Sequence, residues 1–452
     1  MNVLLNTDSY KASHFLQYPP GTDTVSSYIE PRGGEFPLVL FFGLQAFLKQ
    51  LKPFTQADID EAESLLVPHG LPFHRQGWEH ILNKHGGNLP IEIQALPEGM
   101  VLPIKNAVVQ LHNTDPACAW LTSYLETALL RAVWYPSTVA TLSWHAKQVI
   151  SRYLDQTADN SDGLPFKLHD FGARGVSSEE SAALGGMAHL VNFMGSDTLS
   201  AIVAAKRYYR EPMAGFSIPA AEHSTITSWG RMHEIDAYAN MLEKFGKGLV
   251  AVVSDSYDLW NAIDNLWGDD LREQVQKMGG TLVVRPDSGE PTDVVPLALS
   301  KLMDKFGYTV NSKGYKQLPA CVRLIQGDGI NLQSLEAICA AVKQRGFSTD
   351  NLAFGMGGAL LQQVNRDTLQ WAMKASAAHV QGQWRDVFKD PITSSAKKSK
   401  KGRLAVVPHP NHWAETVRLD ELAGRENLLQ PVFRNGELLK DWTFAEVRGR
   451  AK

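Results

Sequence analysis

The chain has 452 residues, which at roughly 150 per domain allows about three domains, or one large barrel with a substantial addition. Lys and Arg total 44 against 48 Asp and Glu, a net charge of −4, so the basic footprint of a general nucleic-acid binder is missing. With 44% hydrophobic and 20% charged residues, the composition excludes a disordered chain.

The three cysteines, Cys118, Cys321 and Cys339, are odd in number and have no CxxC spacing. That argues against a disulfide framework or zinc knuckle and for a reducing compartment. The segment Met1 to Asp8 lacks the basic and apolar regions of a signal peptide. The longest apolar run, Phe36 to Leu48, is broken by Gly43 and Gln45 and is shorter than the ~20 residues that span a bilayer. The expectation is a cytoplasmic protein with no membrane partner.

From Met1 to Asp162 the sequence is irregular and rich in aromatics, with helices expected at Phe41 to Leu51, Gln56 to Leu66 and Pro116 to Leu130. Residues 91–96 and 100–104 alternate in polarity and are separated by Pro97 and Gly99, which predicts short antiparallel strands. This part reads as α+β.

After the polar stretch Gln156 to Gly163, short apolar runs alternate with helix-patterned segments. The runs are Lys167 to Phe171, Leu190 to Phe193, Gly215 to Ile218, Leu249 to Val253, Thr281 to Val284, Val322 to Ile325 and Leu352 to Phe354. Such alternation predicts βαβ units and a parallel sheet, and seven or eight units suggest a closed barrel, with an open doubly wound sheet as the alternative. Polar residues follow each run: residues 169–174, 195–197, 222–223, 254–255, 285–289, 326–329 and 355–358. Taken singly, each is an ordinary cap or turn. In a barrel, all seven converge at the carboxyl ends of the strands. Past about Ala377 the texture fades into a basic run, Lys397 to Arg403, and strand-like segments at Leu404 to Val407 and Pro431 to Phe433.

Common nucleotide, metal and nucleophile templates fail. Gly246-Lys247 is no P-loop, His233-Glu234 lacks the second histidine of HExxH, and Gly215-Phe-Ser217 lacks the closing glycine of a nucleophile elbow. What remains is a set for handling anions. Arg174, Arg285, Arg323 and Arg366 lie beside glycines or acids at element ends, suited to bidentate phosphate recognition. Glycines 355, 357 and 358 permit close backbone approach to an anion. His223 opens a helix-like segment, and opposite Asp255 it is a held, basic imidazole.

In order along nearly the whole chain stand Thr7-Asp-Ser-Tyr-Lys11, His169-Asp-Phe-Gly-Ala-Arg-Gly-Val-Ser-Ser178, Pro219-Ala-Ala-Glu-His-Ser-Thr-Ile-Thr227, Val253-Ser-Asp-Ser-Tyr-Asp258, Arg285-Pro-Asp-Ser-Gly289, Arg323-Leu-Ile-Gln-Gly-Asp-Gly329 and Ala353-Phe-Gly-Met-Gly-Gly358. With these motifs the chain resembles the nicotinamide phosphoribosyltransferase family, of the type II phosphoribosyltransferases. The resemblance implies an α/β barrel over residues 163–377 and a second α+β domain built from both chain ends, 1–162 with 378–452. It implies a homodimer with shared active sites, and transfer of phosphoribose from 5-phosphoribosyl 1-pyrophosphate to nicotinamide with Mg²⁺, forming the mononucleotide and pyrophosphate. ATP is implied as co-substrate, phosphorylating His223. A nicotinate enzyme and a silent binding protein on the same fold are the alternatives.

By the same resemblance, Phe171 and Tyr10 of the neighbouring subunit sandwich the pyridine ring, and Asp197 accepts from the carboxamide. Arg174, His223 and Arg285 contact pyrophosphate, with Asp255 orienting His223, Glu222 beside it and Asp287 at the ribose. Gly327, Asp328, Gly357 and Gly358 cradle the 5′-phosphate. Arg323 joins the substrate set, Arg366 of the neighbour reaches phosphate, and Lys389 and Lys397 are further phosphate candidates. No Mg²⁺ ligands are assigned. Ala251 and Ala372 stand where well-known members carry serine, and Ala173 stands in place of an aromatic residue.

Overall fold

The computed structural model describes residues 2–391, 399–410 and 413–452; Lys397 lies outside them. The chain divides into two units. One is Met1–Thr141 with Ala204–Glu211 and Asn365–Lys452, and the other is Leu142–Val203 with Pro212–Val364.

The first unit is built on a seven-stranded antiparallel sheet that draws on both chain ends. Its strand order is Gln383–Asp386, Trp371–Val380, Thr22–Pro31, Val109–Asn113, Ile91–Ala95, Gln430–Arg434 and Glu437–Leu438. Its longest pair is Thr22–Pro31 with Trp371–Val380, ten residues each, and Val109–Asn113 is the central strand. The strand texture that was expected to fade near 377 therefore runs on to Val380 and belongs to this sheet. The helix expected at Gln56 to Leu66 is present, closed by a Thr55–Asp58 capping box. The helix expected at Pro116 to Leu130 is broken into Pro116–Cys118, Leu121–Tyr124 and the long Glu126–Thr157.

The second unit holds six strands: β1 (Leu168–Asp170), β2 (Gly195–Ser196), β3 (Leu249–Val253), β4 (Thr281–Arg285), β5 (Val322–Gln326) and β6 (Leu352–Met356). They run parallel in the order β2-β1-β6-β5-β4-β3. Both edges of this curled sheet are tied to one segment. Phe216 bridges Gly195 of β2, and Ala220 bridges Ala251 of β3, both in parallel sense. The backbone N–H of Ser196 donates to the Phe216 carbonyl at 3.0 Å, and that of Ala251 to the Pro219 carbonyl at 2.9 Å. The fold is thus the expected α/β barrel, with irregular backbone as one of its staves.

Two of the expected strands differ. Leu190 to Phe193 is the turn that ends helix Glu179–His189, where Leu190 and Phe193 are buried and Phe193 stacks on His189 with ring centroids 5.2 Å apart. The strand itself follows at Gly195. Residues 215–218 contribute a bridge and no full strand.

Inside the barrel, Ala251, Val283 and Ile325 are buried together, with Phe171, Ile218 and Ala353 against them. Outside, Trp267 lies in the π-helical stretch Ala262–Asp270, stacks on Tyr238 with centroids 4.4 Å apart, and donates from Nε1 to Ser254 Oγ at 3.0 Å. That hydrogen bond anchors the end of β3 next to Asp255. Trp267→Ala should lower unfolding free energy by about 3–5 kcal/mol, the cost of emptying a buried aromatic site. Trp267→Phe, which keeps most of the stack and loses the N–H, should cost about 0.5–1.5 kcal/mol for the hydrogen bond plus a smaller packing loss. Urea unfolding of the purified variants measures both.

Candidate functional site at the carboxyl ends of the barrel strands

β1 ends at Asp170, whose buried carboxylate accepts from the Gly172 N–H at 2.7 Å and is pushed up in pKa by burial. The turn it holds presents Phe171. Two glycines make room for that ring: a Cβ on Gly355 would stand 2.0 Å from Phe171 Cε2, and one on Gly327 would stand 3.2 Å from it. Close approach of ring to backbone is the physical reason for glycine at both places. The turn carrying Arg174 packs on the one after β6: a Gly172 Cβ would lie 3.0 Å from the Gly357 carbonyl oxygen, and a Gly175 Cβ 3.5 Å from Gly358 Cα. Arg174 is exposed there, and nothing stands within 4 Å of the Cβ direction at Gly358.

Asp197 follows β2, its N–H bonded to the Asp170 carbonyl at 3.0 Å. Its carboxylate accepts from Ser217 Oγ at 2.5 Å, a partner supplied by the segment that closes the barrel. His169, on the strand beside it, is lowered in pKa by burial, with Asp197 opposing that effect.

His223 is the first residue of helix His223–Thr227, and its side chain is half exposed. Nδ1 lies 3.1 Å from Ser256 Oγ, while Nε2 lies 3.4 Å from Asp287 Oδ2 and 3.9 Å from Asp255 Oδ1. Asp255 is buried, and its Oδ2 accepts from Ser288 Oγ at 2.5 Å. Arg285 Nη2 stands 3.7 Å from Asp287 Oδ2. Asp287 Oδ1 in turn lies 3.8 Å from the Cβ direction of Gly327. Phe171, Gly327, Asp287, His223 and Asp255 are therefore linked by successive short contacts.

Three buried polar atoms at this rim have no hydrogen-bond partner among the described residues: Asp255 Oδ1, Arg285 Nε and Gln326 Oε1. They belong to the ends of the adjacent strands β3, β4 and β5. Buried polar atoms are nearly always paired, so three orphans at neighbouring strand ends mark a place made for a polar ligand. A buried, unpaired carboxylate oxygen with Asp287 nearby also suits a hard divalent cation such as Mg²⁺, which takes oxygen ligands.

Some expected residues are placed elsewhere. Arg323 points one layer toward the amino ends of the strands, on the face of β5 it shares with Ile325. Its Nη1 donates to the carbonyls of Leu318, Pro319 and Val322 at 3.2, 2.8 and 2.7 Å. There its Nη1 is taken up by backbone carbonyls on the floor of the barrel. The Glu222 side chain accepts from Ser224 Oγ, and its N–H donates to Thr225 Oγ1 at 3.2 Å, so Glu222 caps its own helix. Asp328 is exposed just beyond Gly327.

In the first unit, Tyr10 is 57% exposed and meets the edge of His14, and Arg366 pairs with its neighbour Asp367 at 2.9 Å. Lys389 is exposed. Sequence reasoning missed Ser217, Ser256 and Ser288, which hold the acidic groups and the imidazole. Lys374, half-buried in the first unit, is lowered in pKa by burial, with Glu126 opposing that effect. Serines after strand ends carry no signal of their own, although Ser256 and Ser288 lie inside motifs already singled out.

A model of the nicotinate phosphoribosyltransferase family matches residues 166–437, and one of the nicotinamide phosphoribosyltransferase N-terminal domain matches residues 2–93. The chain is 55% identical to the nicotinamide phosphoribosyltransferase of Xanthomonas campestris pv. campestris, across 100% of this chain and 98% of that one. It is 33% identical to the nicotinamide phosphoribosyltransferase of Acinetobacter baylyi, across 100% and 97%. Among solved structures, the nicotinate-nucleotide pyrophosphorylase of Pyrococcus furiosus superposes with a TM-score of 0.64 at 15% identity, covering 100% of this chain and 95% of that one. Human nicotinic acid phosphoribosyltransferase does so with 0.59 at 18%, covering 98% and 92%. The structural likeness concerns the fold, whereas the full-length sequence identity reaches further: the chain belongs to the nicotinamide and nicotinate phosphoribosyltransferase family of enzymes.

Proposed function

We propose that this enzyme transfers the phosphoribosyl group of 5-phosphoribosyl 1-pyrophosphate to nicotinamide, forming nicotinamide mononucleotide and pyrophosphate in NAD salvage. ATP hydrolysis is coupled through phosphorylation of His223. The observation that carries this reading is the imidazole held between Ser256 and the carboxylates of Asp255 and Asp287, beside the unpaired Arg285 Nε.

Cleavage of the ribose C1′–oxygen bond builds positive charge on the sugar and negative charge on the departing pyrophosphate. The Asp287 carboxylate suits the first, and the guanidinium groups of Arg285 and Arg174 suit the second. The glycine backbone at Gly327, Gly357 and Gly358, with Asp328 alongside, suits the 5′-phosphate and ribose. Phe171 offers its ring face to the pyridine. Asp255 and Asp287 would hold Mg²⁺, which neutralises pyrophosphate charge when bound.

With Nε2–H facing two carboxylates, the lone pair of His223 sits on Nδ1. Attack by Nδ1 on the γ-phosphorus of ATP forms the N–P bond and releases ADP. Water later returns the imidazole and phosphate. Ser256, bonded to Nδ1, gives way to the incoming phosphoryl group.

Asp197 favours the amide over the acid. Held as an acceptor by Ser217, it receives the carboxamide N–H. Facing a carboxylate 4 Å away, it would instead meet repulsion of about 4 kcal/mol at an effective dielectric of about 20. A homodimer is supported by apolar side chains left open on the barrel unit, with Leu199 79%, Val203 55% and Phe216 47% exposed. In such a dimer Tyr10 and Arg366 serve the site of the other subunit, and Lys389 is a further phosphate candidate. The cysteines remain unpaired, in keeping with a cytoplasmic setting.

Enzyme supplied with phosphoribosyl pyrophosphate and Mg²⁺ should make mononucleotide from nicotinamide, and ATP should raise the yield. Product from nicotinate alone, resolved by chromatography, would reverse the assignment of the base. Asp197→Asn should lose about 1.5–3 kcal/mol of transition-state binding to nicotinamide, roughly a 10- to 150-fold fall in kcat/KM. Label from γ-labelled ATP should appear at His223 in acid-labile form and vanish in His223→Ala. Finally, inactive Tyr10→Ala and His223→Ala subunits, mixed and allowed to exchange, should regain activity, because one site of each hybrid carries neither change. Verified exchange without recovery would rule out shared sites.

A further inference from the structure

Helix Arg75–His85 of the first unit carries two histidines whose Nε2 atoms meet at one carboxylate oxygen. His80 Nε2 lies 2.9 Å and His85 Nε2 2.7 Å from Asp115 Oδ2. Five residues apart on a helix, the two side chains leave about 140° from each other and would not converge on an ideal cylinder. They do so because His85 ends the helix, just before Gly86 turns left-handed at φ 60°. Asp115 is buried and fixed independently. Its Oδ1 accepts from the Ala117 N–H at 3.0 Å, and its carbonyl accepts from Asn113 Nδ2 at 2.8 Å. Burial pushes its carboxyl pKa up, but hydrogen bonds from His85, His80 and Lys84 outweigh this and hold it below the usual carboxylate range.

The three ligand atoms lie within 4.8 Å of one another, the one such group among the described residues. We propose that His80, His85 and Asp115 form a binding site for a zinc-class divalent cation, with a fourth position open to water. Two imidazoles and one carboxylate suit Zn²⁺, Co²⁺ or Ni²⁺ and do not suit Mg²⁺, which takes oxygen ligands. At ligand bonds of about 2.0–2.2 Å, tetrahedral ligand atoms stand about 3.3–3.6 Å apart. The two nitrogen-to-oxygen distances of 2.9 and 2.7 Å therefore open by about half an ångström to admit the ion.

One group competes for the place. Lys84 Nζ is 2.9 Å from the same Oδ2, and its side chain is 57% exposed, free to swing into solvent. The bound ion would tie the end of helix Arg75–His85 to the turn after strand Val109–Asn113, stabilising the folded chain by binding it in preference to the unfolded one.

The competition makes the site testable with the full-length enzyme and the metals alone. Calorimetric titration of chelator-treated protein with ZnCl₂ should show one site per chain that excess Mg²⁺ leaves filled. The melting temperature should rise with zinc, and CoCl₂ should give the visible bands of four-coordinate cobalt. His80→Ala and His85→Ala, each at a partly exposed position, should weaken zinc binding by roughly tenfold or more. Lys84→Met should strengthen it, because no ammonium group then needs displacing. Absence of stoichiometric binding, or binding that both histidine variants leave unchanged, would overturn the proposal. So would weaker binding in a folded Lys84→Met, since that would make the lysine a supporter of the site and leave Asp115 merely the centre of an ion cluster.

Discussion

The structure depends on the common direction of six strands. In a parallel ladder every carboxyl end reaches the same rim, so residues that lie far apart in the chain are brought together by hydrogen-bond register alone. Asp170 and Arg285 end two of the strands, and Asp197, Asp255 and Gly327 follow three others. The two edge strands are short of a neighbour, and the segment from Phe216 to Ala221 supplies one to both. That segment also carries Ser217, the donor to Asp197. Closing the sheet and setting the acceptor are done by the same few residues.

Placing charge at this rim is expensive. A buried polar atom without a partner costs about 1–3 kcal/mol, and three of them cluster at the ends of β3, β4 and β5. The cost is sustained by rigid support beneath: Ala251, Val283 and Ile325 fill the barrel, and Trp267 fixes Ser254 from outside. Small residues matter as much as large ones here. Gly355 and Gly327 leave the volume that the Phe171 ring occupies, and Ala251 keeps the interior beside it apolar. Of the three unpaired atoms, Arg285 Nε is a donor open to an anion, while Asp255 Oδ1 and Gln326 Oε1 are acceptors open to a donor or a cation.

Much of the barrel was legible in the sequence because its central strands are runs of Val, Ile and Leu bounded by polar turns, a pattern that needs no partner to be recognised. β3, β4, β5 and β6 were expected within a residue or two of where they lie. Leu190 to Phe193 was mistaken for a strand because a buried helix end and a buried strand are equally apolar over four residues. The long strands Thr22–Pro31 and Trp371–Val380 went unrecognised, since Ser, Thr, Glu and Lys interrupt them and their pairing spans nearly the whole chain. The motifs brought His223, Asp255, Arg285 and Asp287 into view as a set. The surroundings of Arg323 were not legible, because a strand has two ends: two residues before Ile325, an arginine bonds carbonyls at the floor of the barrel, and residue type alone does not reveal which end it faces.

Composition also reads differently once the chain is folded. Near-equal numbers of acids and bases were evidence only against a broad cationic surface. In the folded chain many bases are spent in local pairs, as Arg75 is on Asp60, Glu63 and Glu79, or in holding the fold, as Arg323 is on its three carbonyls. Arg174 and Arg285 are different. Arg174 is exposed on a turn beside Gly358, and Arg285 keeps a buried Nε unpaired although Asp287 stands 3.7 Å from its Nη2. A guanidinium held near a carboxylate but not saturated by it retains direction and spare donors. A compact polyanion can then be gripped by a chain whose net charge is −4, because binding depends on which donors remain unmet at one rim rather than on the sum of charges over the surface.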